Sequence, residues 1–394
     1  MTRASIIGME LPFEDAEYRE RVDNAKRSME AQGIDTLLLF HQESMFYLFG
    51  YDQLGYWVYQ VAILSLADEK ITVICREADH DLVAGLPLVR EVRTWRDDSA
   101  DDPIAVTTKA LQDLGVVGQG HRVGIELRSH ALLPFYYRHL ADSLANSVEL
   151  VDSSDLITEL RLRKSATEVE YVRKAALALD ASFEASFAAL RPGVRENEVL
   201  GCALKAMMDA GGEVPAIVPP LASGPRTLAA THGAATNRVL KSGDLFQIEV
   251  GAAYQRYNVV GVHSKWLGVP PPEVHSAFGK LRDALDVGIG SIRTGVPVAE
   301  VARKVNAELE MAGMYIPGRH IGYGTGIGYP PTWLDNLRVK ETDQHVLEAN
   351  MLLFLFLHHQ CDDGVSLLFI GEPILVKDEG ADRLSTVPFS LEVN

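Results

Sequence analysis

The feature that most constrains this sequence is an echo inside its own second half. The segment LRPGVRENEV (190–199) returns as IRTGVPVAEV (292–301). Both copies run into a helix-like stretch that closes on Ala-Gly, at Ala210-Gly211 and Ala312-Gly313. Aligned without gaps over 23 positions, the two share seven identities. A repeat of this length is a whole supersecondary unit, and each copy has an apolar face that it cannot bury alone. The pattern predicts two similar α/β halves packed about a pseudo-two-fold axis.

The elements around the repeat agree. Ser165 and Glu168 have capping-box spacing, and Val169, Val172, Ala176, Leu179, Phe183 and Phe187 follow at helical intervals. From about 215 onward the texture becomes β-like, with segments at 245–254, 259–266, 351–358 and 365–376 separated by Gly/Pro turns. Before the linker, an amphipathic helix over 14–33 precedes strands at 36–40, 61–66, 71–76, 122–127 and 148–152, with an aromatic loop at 45–57. With 394 residues the chain is long enough for two domains. The expected division is an α/β domain over 1–160 and the duplicated α/β domain over 161–394.

Charge and composition exclude several functions. Fifty-four acidic against 37 basic residues give a net charge of −17, which disfavours nucleic acid or an anionic membrane as the main partner. Cys75, Cys202 and Cys361 lie far apart and form no CxxC pair, so neither a disulfide framework nor a Cys-rich zinc site is expected. The N-terminal residues carry no apolar signal core, and the apolar run 351–357 is too short to span a bilayer. The expectation is a cytoplasmic enzyme or binding protein acting on a small molecule.

A family resemblance rests on motifs in a fixed order. These are LRKS (162–165) with Glu168, ASGPR (222–226), Thr231-His232, GDLFQIEVG (243–251), GYGTGIG (322–328) and GEPILV (371–376). In this order they resemble the pita-bread hydrolases, the superfamily of creatinase, prolidase, aminopeptidase P, methionine aminopeptidase and ectoine hydrolase. The first domain resembles the creatinase-type N-terminal domain. The resemblance implies a homodimer in which the N-terminal domain of one subunit lends residues to the other's site.

Peptidases of that superfamily hold two metal ions with five carboxylate or imidazole ligands. In this sequence those positions carry Glu249, Val260, Tyr323, Phe356 and Gly371, the last slipping by one to Glu372. Val, Phe and Gly supply no donor to a divalent ion. The expectation is therefore no metal and no other cofactor. The glycine-rich run 322–328 lacks the strand–GxGxxG–helix context of a phosphate loop.

In metal-free members a histidine moves the proton that a metal-bound water would otherwise supply. His232 aligns with the proton-transfer histidine of creatinase, and an imidazole titrating near pH ~6.5 suits that task. Glu249 sits on a mostly apolar strand, where an acid is costly unless paired or used. The same position is Glu in ectoine hydrolases, where it serves the substrate directly. Tyr323 replaces a metal-binding His, and the run GYGTGIGYPPTW (322–333) is similar to ectoine hydrolases in its Tyr-Pro-Pro and Trp. His263 and Glu372 are further candidate substrate contacts. Strand alternation puts His358 and His359 on opposite faces, so one of the two is expected to face the cavity; the alternation alone does not choose between them, and His359 is included among the candidate contacts. Tyr51, Asp52 and Trp57, with Tyr56 beside them, are the expected contribution of the partner subunit, because aromatic faces suit a compact cationic ligand.

Together these residues predict metal-independent hydrolysis of a C–N bond in a small zwitterionic compound, of ectoine-hydrolase or creatinase type. His232 and Glu249 would be catalytic; Tyr323, His263, Asp52, Tyr51, Trp57, His359 and Glu372 would bind substrate. The alternatives are a metal-dependent Xaa-Pro dipeptidase and a non-catalytic small-molecule-binding relative.

Overall fold

The computed structural model describes residues 11–97, 101–118 and 120–393. The chain divides into two compact units, with the boundary between Arg161 and Leu162.

The first unit is a six-stranded mixed sheet ordered β4-β3-β2-β1-β5-β6. Its strands are β1 (Thr36–Leu39), β2 (Val61–Ser65), β3 (Ile71–Arg76), β4 (Val89–Trp95), β5 (Arg122–Ile125) and β6 (Glu149–Asp152). The helix Asp15–Gln32 ends on Gly33 at φ 64°, a left-handed cap. Two features depart from expectation. Strand β4 is partly exposed and carries Arg90, Glu91 and Arg93, so it lacks an apolar signature. The stretch predicted as an aromatic loop begins as a helix, Gln42–Phe49. Its N-terminus is satisfied from a distance: buried Glu126 accepts hydrogen bonds from Phe40 N and His41 N, each at 2.7 Å, and from Ser44 Oγ at 2.6 Å. A carboxylate there complements the free amides and dipole of a helix start. The cap lies far along the chain and leaves no local signal.

The second unit is an antiparallel sheet ordered β11-β10-β12-β13-β9-β8-β7, with β14 on β13 and an extra pairing of β10 to β9. The strands are β7 (Leu221–Ser223), β8 (Leu245–Tyr254), β9 (Tyr257–Trp266), β10 (Gly322–Tyr329), β11 (Thr332–Arg338), β12 (Leu352–Gln360), β13 (Leu367–Lys377) and β14 (Gly380–Arg383). Helix Ala166–Ala189 packs on β8 and β9, with Glu196–Asp209 beside it and against β7; helix Pro272–Gly290 packs on β12 and β13, with Val298–Met311 beside it. Ser165 and Glu168 form the expected capping box.

The echo in the sequence is a true structural repeat. Gly193 N donates to Leu240 O at 2.9 Å, and Gly295 N donates to Leu347 O at 2.8 Å. Arg195 bridges Val239 as Pro297 bridges Val346. Both Ala-Gly endings are left-handed caps, with Gly211 at φ 87° and Gly313 at φ 73°. Each helix pair is thereby tied to its own strand pair by the same backbone device.

Alternation along the strands then sorts the side chains. Leu353, Leu355 and Leu357 of β12, with Leu368, Ile370 and Ile374 of β13, join the core around helices Pro272–Gly290 and Val298–Met311. Phe354, Phe356 and Phe369 face the other way, with Val260, Val262, Tyr323 and Trp333. That second face carries the site. Among the described residues no helix is long and apolar enough to cross a membrane.

Candidate active site

On the aromatic face of the second unit lies a cavity of about 270 Å3. Its chemistry comes from His232, Glu249, Arg319, His320, Tyr323, Trp333 and His358; Ile217, Pro220, Leu334, Phe356 and Phe369 make it mainly apolar.

Glu249 reaches the cavity because it lies on β8 in phase with Gly251, opposite Val262 of β9. Its backbone N donates to Pro220 O at 2.9 Å. The carboxyl is buried, and loss of solvation raises its pKa to about 8, against which the Tyr323 hydrogen bond acts. Tyr323 Oη donates to Glu249 Oε1 at 3.2 Å and accepts from Trp333 Nε1 at 3.0 Å. An indole N–H only donates, so the phenol's single proton is left for the carboxyl. The Tyr323 hydroxyl is itself held well above its ordinary pKa, chiefly by burial and then by the Glu249 charge.

Trp333 lies against the sheet because residue 251 is glycine: a Cβ there would come within 2.5 Å of the indole. Behind β11, Lys164 of the linker motif is buried against Asp335 at 3.3 Å.

The five positions at which the family resemblance places metal ligands do converge. Glu249 bonds Tyr323, while Val260, Tyr323 and Phe356 share one cluster. Phe356 is the cross-strand neighbour of Gly371. What converges is mostly hydrocarbon. A Cβ at Gly371 would meet Leu355 O, Phe354 Cε2 and Phe356 Cβ, each at 2.7 Å, so β12 and the Phe354 ring leave no room for a larger side chain there. Among the described residues no group of three or more His, Cys, Asp or Glu side chains could hold a metal ion. This donor set does not fit a dinuclear centre.

Three expected site residues, His232, Glu249 and Tyr323, line the cavity together. His232 is exposed, at the end of the turn Gly224–His232. The others lie elsewhere. His263 is on the opposite face of β9, its ring 4.5 Å from Phe183 and 4.7 Å from Phe389. Burial holds its pKa down at about 3, so it is neutral. Glu372 is out of phase with Gly371 and accepts from Arg383 Nη1 at 2.6 Å. Burial is the main reason its pKa rises to about 7. His359 opens onto a separate cavity with Glu273, Lys280 and Asp362, and the cavity histidine is His358. Tyr51 is buried inside the first unit and stacks on Phe49, whereas Trp57 is 67% exposed and Asp52 half-buried.

Arg319 and His320, and a role for Trp333, are not among the site residues expected from the sequence. Arg319 and His320 stand directly before the glycine-rich strand, and that basic pair was the available signal. His320 meets Phe356 edge-on at 5.5 Å, and Tyr323 meets the same ring at 5.7 Å. Burial, with nearby Arg338 and Arg319, lowers the His320 pKa.

Comparison with known proteins follows this geometry. Residues 170–378 match Metallopeptidase family M24, and residues 21–163 match the Creatinase/Prolidase N-terminal domain. The chain is 25% identical to the ectoine hydrolase of Halomonas elongata, over 98% of this chain and 100% of that protein. It is 24% identical to a Xaa-Pro dipeptidase of Pyrococcus horikoshii, over 93% of this chain and 97% of the other. Among solved structures, dipeptidase PepE from Mycobacterium ulcerans superimposes with a TM-score of 0.83 at 23% identity, covering 97% of this chain and 99% of that one. That likeness shows the fold.

Proposed function

This chain belongs to Metallopeptidase family M24, and from that premise we propose that it hydrolyses a C–N bond in a small zwitterionic compound without a bound metal ion. The carrying observation is the Tyr323–Glu249 pair in a cavity lined by Phe356, with Val260 and Gly371 at the remaining family ligand positions. The similarity to an ectoine hydrolase along essentially the whole chain supports the non-peptide substrate.

The chemistry follows from proton positions. In its ionised form Glu249 attacks an amidine-like carbon or takes a proton from the attacking water. Where the carboxylate attacks, the C–N bond breaks to leave a covalent intermediate on Glu249 that water then cleaves; where it takes a proton from water, the hydroxyl adds to carbon directly and the C–N bond breaks. On either route the leaving nitrogen receives a proton from His232, and the proton released by that water replaces it. One water is consumed. Glu249 starts largely protonated at neutral pH, since its pKa stands at about 8. Ionisation then places a strong base or nucleophile in an apolar enclosure. The Tyr323 hydroxyl stabilises that carboxylate and is not itself the proton source.

The dimer remains part of the proposal. Trp57 and Leu54 are exposed, at 67% and 57%, and offer an apolar surface to a second subunit. Tyr51 is buried in its own unit and is dropped from the partner's contribution.

The deciding experiment is proton NMR of ectoine incubated with chelator-treated protein, with Glu249→Gln as control. Ring opening without metal that disappears in the variant supports the reading. Cleavage of an Xaa-Pro dipeptide only after a divalent metal is added would establish the dipeptidase reading instead. Binding of ectoine with no turnover would leave a non-catalytic relative.

A further inference from the structure

The cavity contains one cation that the hydrolytic reading does not use. Arg319 lines it, half-buried, in the segment leading into β10. Its one hydrogen bond among the described residues runs from Nη2 to His358 O at 2.9 Å. No carboxylate among the described residues pairs with it. The contrast with other arginines of this unit is plain: Arg238 is paired with Asp244, Arg226 with Glu196, and Arg383 with both Glu372 and Asp286. Burial alone lowers the Arg319 pKa to about 10, with no acid to offset it. At neutral pH the guanidinium is charged all the same. A partly desolvated charge without a counter-ion carries a cost that an entering anion relieves.

We infer that Arg319 is the anchor for a carboxylate of the substrate, held in orientation by the His358 carbonyl, so that this site selects small carboxylates with an apolar body. The inference rests on the reading of the Glu249 cavity as the substrate site. A guanidinium presents a planar fork that matches a carboxylate in two parallel hydrogen bonds. A phosphate would call for more cationic donors than Arg319 supplies, and the overall charge of −17 repels multiply charged anions. The apolar wall of Ile217, Pro220, Leu334, Phe356 and Phe369 suits a hydrocarbon body between the charged groups. Glu249 does not compete for the guanidinium, because its hydrogen bond goes to Tyr323.

The test uses three acids, each against its own primary carboxamide: ectoine, proline and creatine. Affinity is measured by calorimetry on the full-length protein and turnover by proton NMR, for wild type, Arg319→Gln and Arg319→Lys. At least one acid should bind wild type roughly 10- to 100-fold more tightly than its amide, the range of a charge-assisted hydrogen bond pair. Arg319→Gln should erase that preference while leaving amide affinity in place; Arg319→Lys should keep part of it, as a charge without the fork. Thermal melts confirm folding, and the lysine variant carries the test if the glutamine variant does not fold. A preference that survives in Arg319→Gln, or no acid favoured over its amide in wild type, overturns the anchor. The two readings separate cleanly. Ectoine or creatine that binds through Arg319 and is never cleaved removes the hydrolase and keeps the anchor, whereas proline, with no hydrolysable C–N bond, reports on binding alone. Cleavage that is indifferent to Arg319 removes the anchor and keeps the hydrolase.

Discussion

Tyr323 donates its only hydroxyl proton to Glu249 Oε1 at 3.2 Å, because Trp333 Nε1 already occupies the phenol as a donor. The direction of this short relay makes it consequential. The hydrogen bond favours the charged carboxylate against a burial effect that favours the neutral acid. Replacing Tyr323 by Phe removes the opposing influence. The Glu249 pKa should then rise further above about 8, moving the acid limb of the kcat/KM profile to higher pH. Turnover at neutral pH should fall roughly 10- to 100-fold. Trp333 Nε1 also loses its acceptor, at a cost of about 1–3 kcal/mol in stability. A pH–rate profile and a denaturant melt test both effects; an unmoved acid limb would remove Tyr323 from the chemistry.

Glu249 should tie stability to pH in the opposite sense to an ordinary paired carboxylate. Its folded pKa of about 8 lies above the ordinary glutamate value of 4.5, so between those values the folded state holds a proton that the unfolded state has lost. Stability therefore falls as pH rises through that window and levels off above it. Glu249→Gln, neutral at every pH, removes the effect. The variant should gain on wild type by a few kcal/mol on going from about pH 5 to pH 9, by the linkage of proton binding to folding. Parallel chemical melts at the two ends give the difference directly. A variant that tracks wild type across the window would mean that Glu249 is ionised throughout.

Restoring the missing family carboxylate should not restore a metal site. At Gly371 even a Cβ would meet Leu355 O, Phe354 and Phe356 at 2.7 Å. Gly371→Glu therefore overpacks the sheet and inserts a charge among phenyl rings. A loss of more than about 2 kcal/mol is expected. Titration with Mn2+ or Co2+ should show no gain in affinity over wild type. Tight metal binding by the variant would show that the cavity retains more of the ancestral ligand geometry than its side chains suggest.

How far the sequence could be read depended on phase. The internal echo located both helix pairs because its glycines and apolar spacing are local, and Gly193 and Gly295 make matching backbone bonds. Glu249 and Tyr323 were legible as an acid and a phenol at positions where hydrocarbon or metal ligands belong. His358 and His359 differ only in parity, and parity needs one fixed point. Phe356 provides it: it lines the cavity, so His358, two residues on, does too. The same argument turns Glu372 toward Arg383 and His263 toward Phe183. The helix Gln42–Phe49 was hidden for a different reason, since the carboxylate that caps it is Glu126. Parity makes a paired test. His358→Asn should change KM roughly tenfold, the scale of one hydrogen bond to a charged group, and His359→Asn should leave kinetics at wild-type values.

The relay has a second dependency that reaches Trp333 without touching its side chain. Gly251 lies two residues beyond Glu249, and a methyl there would stand 2.5 Å from the Trp333 indole. Backbone atoms of β8 cannot retreat, because Gly251 pairs with Val260 inside the sheet. The indole must therefore move, and Nε1 leaves the Tyr323 hydroxyl. Gly251→Ala should consequently reproduce the kinetics of Trp333→Phe. In both, Tyr323 is released from its fixed direction, and the acid limb of kcat/KM shifts toward that of Tyr323→Phe. Their stabilities should differ, since the alanine overpacks by about 1–3 kcal/mol, whereas the phenylalanine leaves space where the indole stood. The double variant separates a shared relay from two independent injuries. If Gly251 acts through Trp333, the kinetic effects of the two changes will not add. Full additivity would mean that the glycine serves the sheet alone, and that Trp333 holds its place by other contacts.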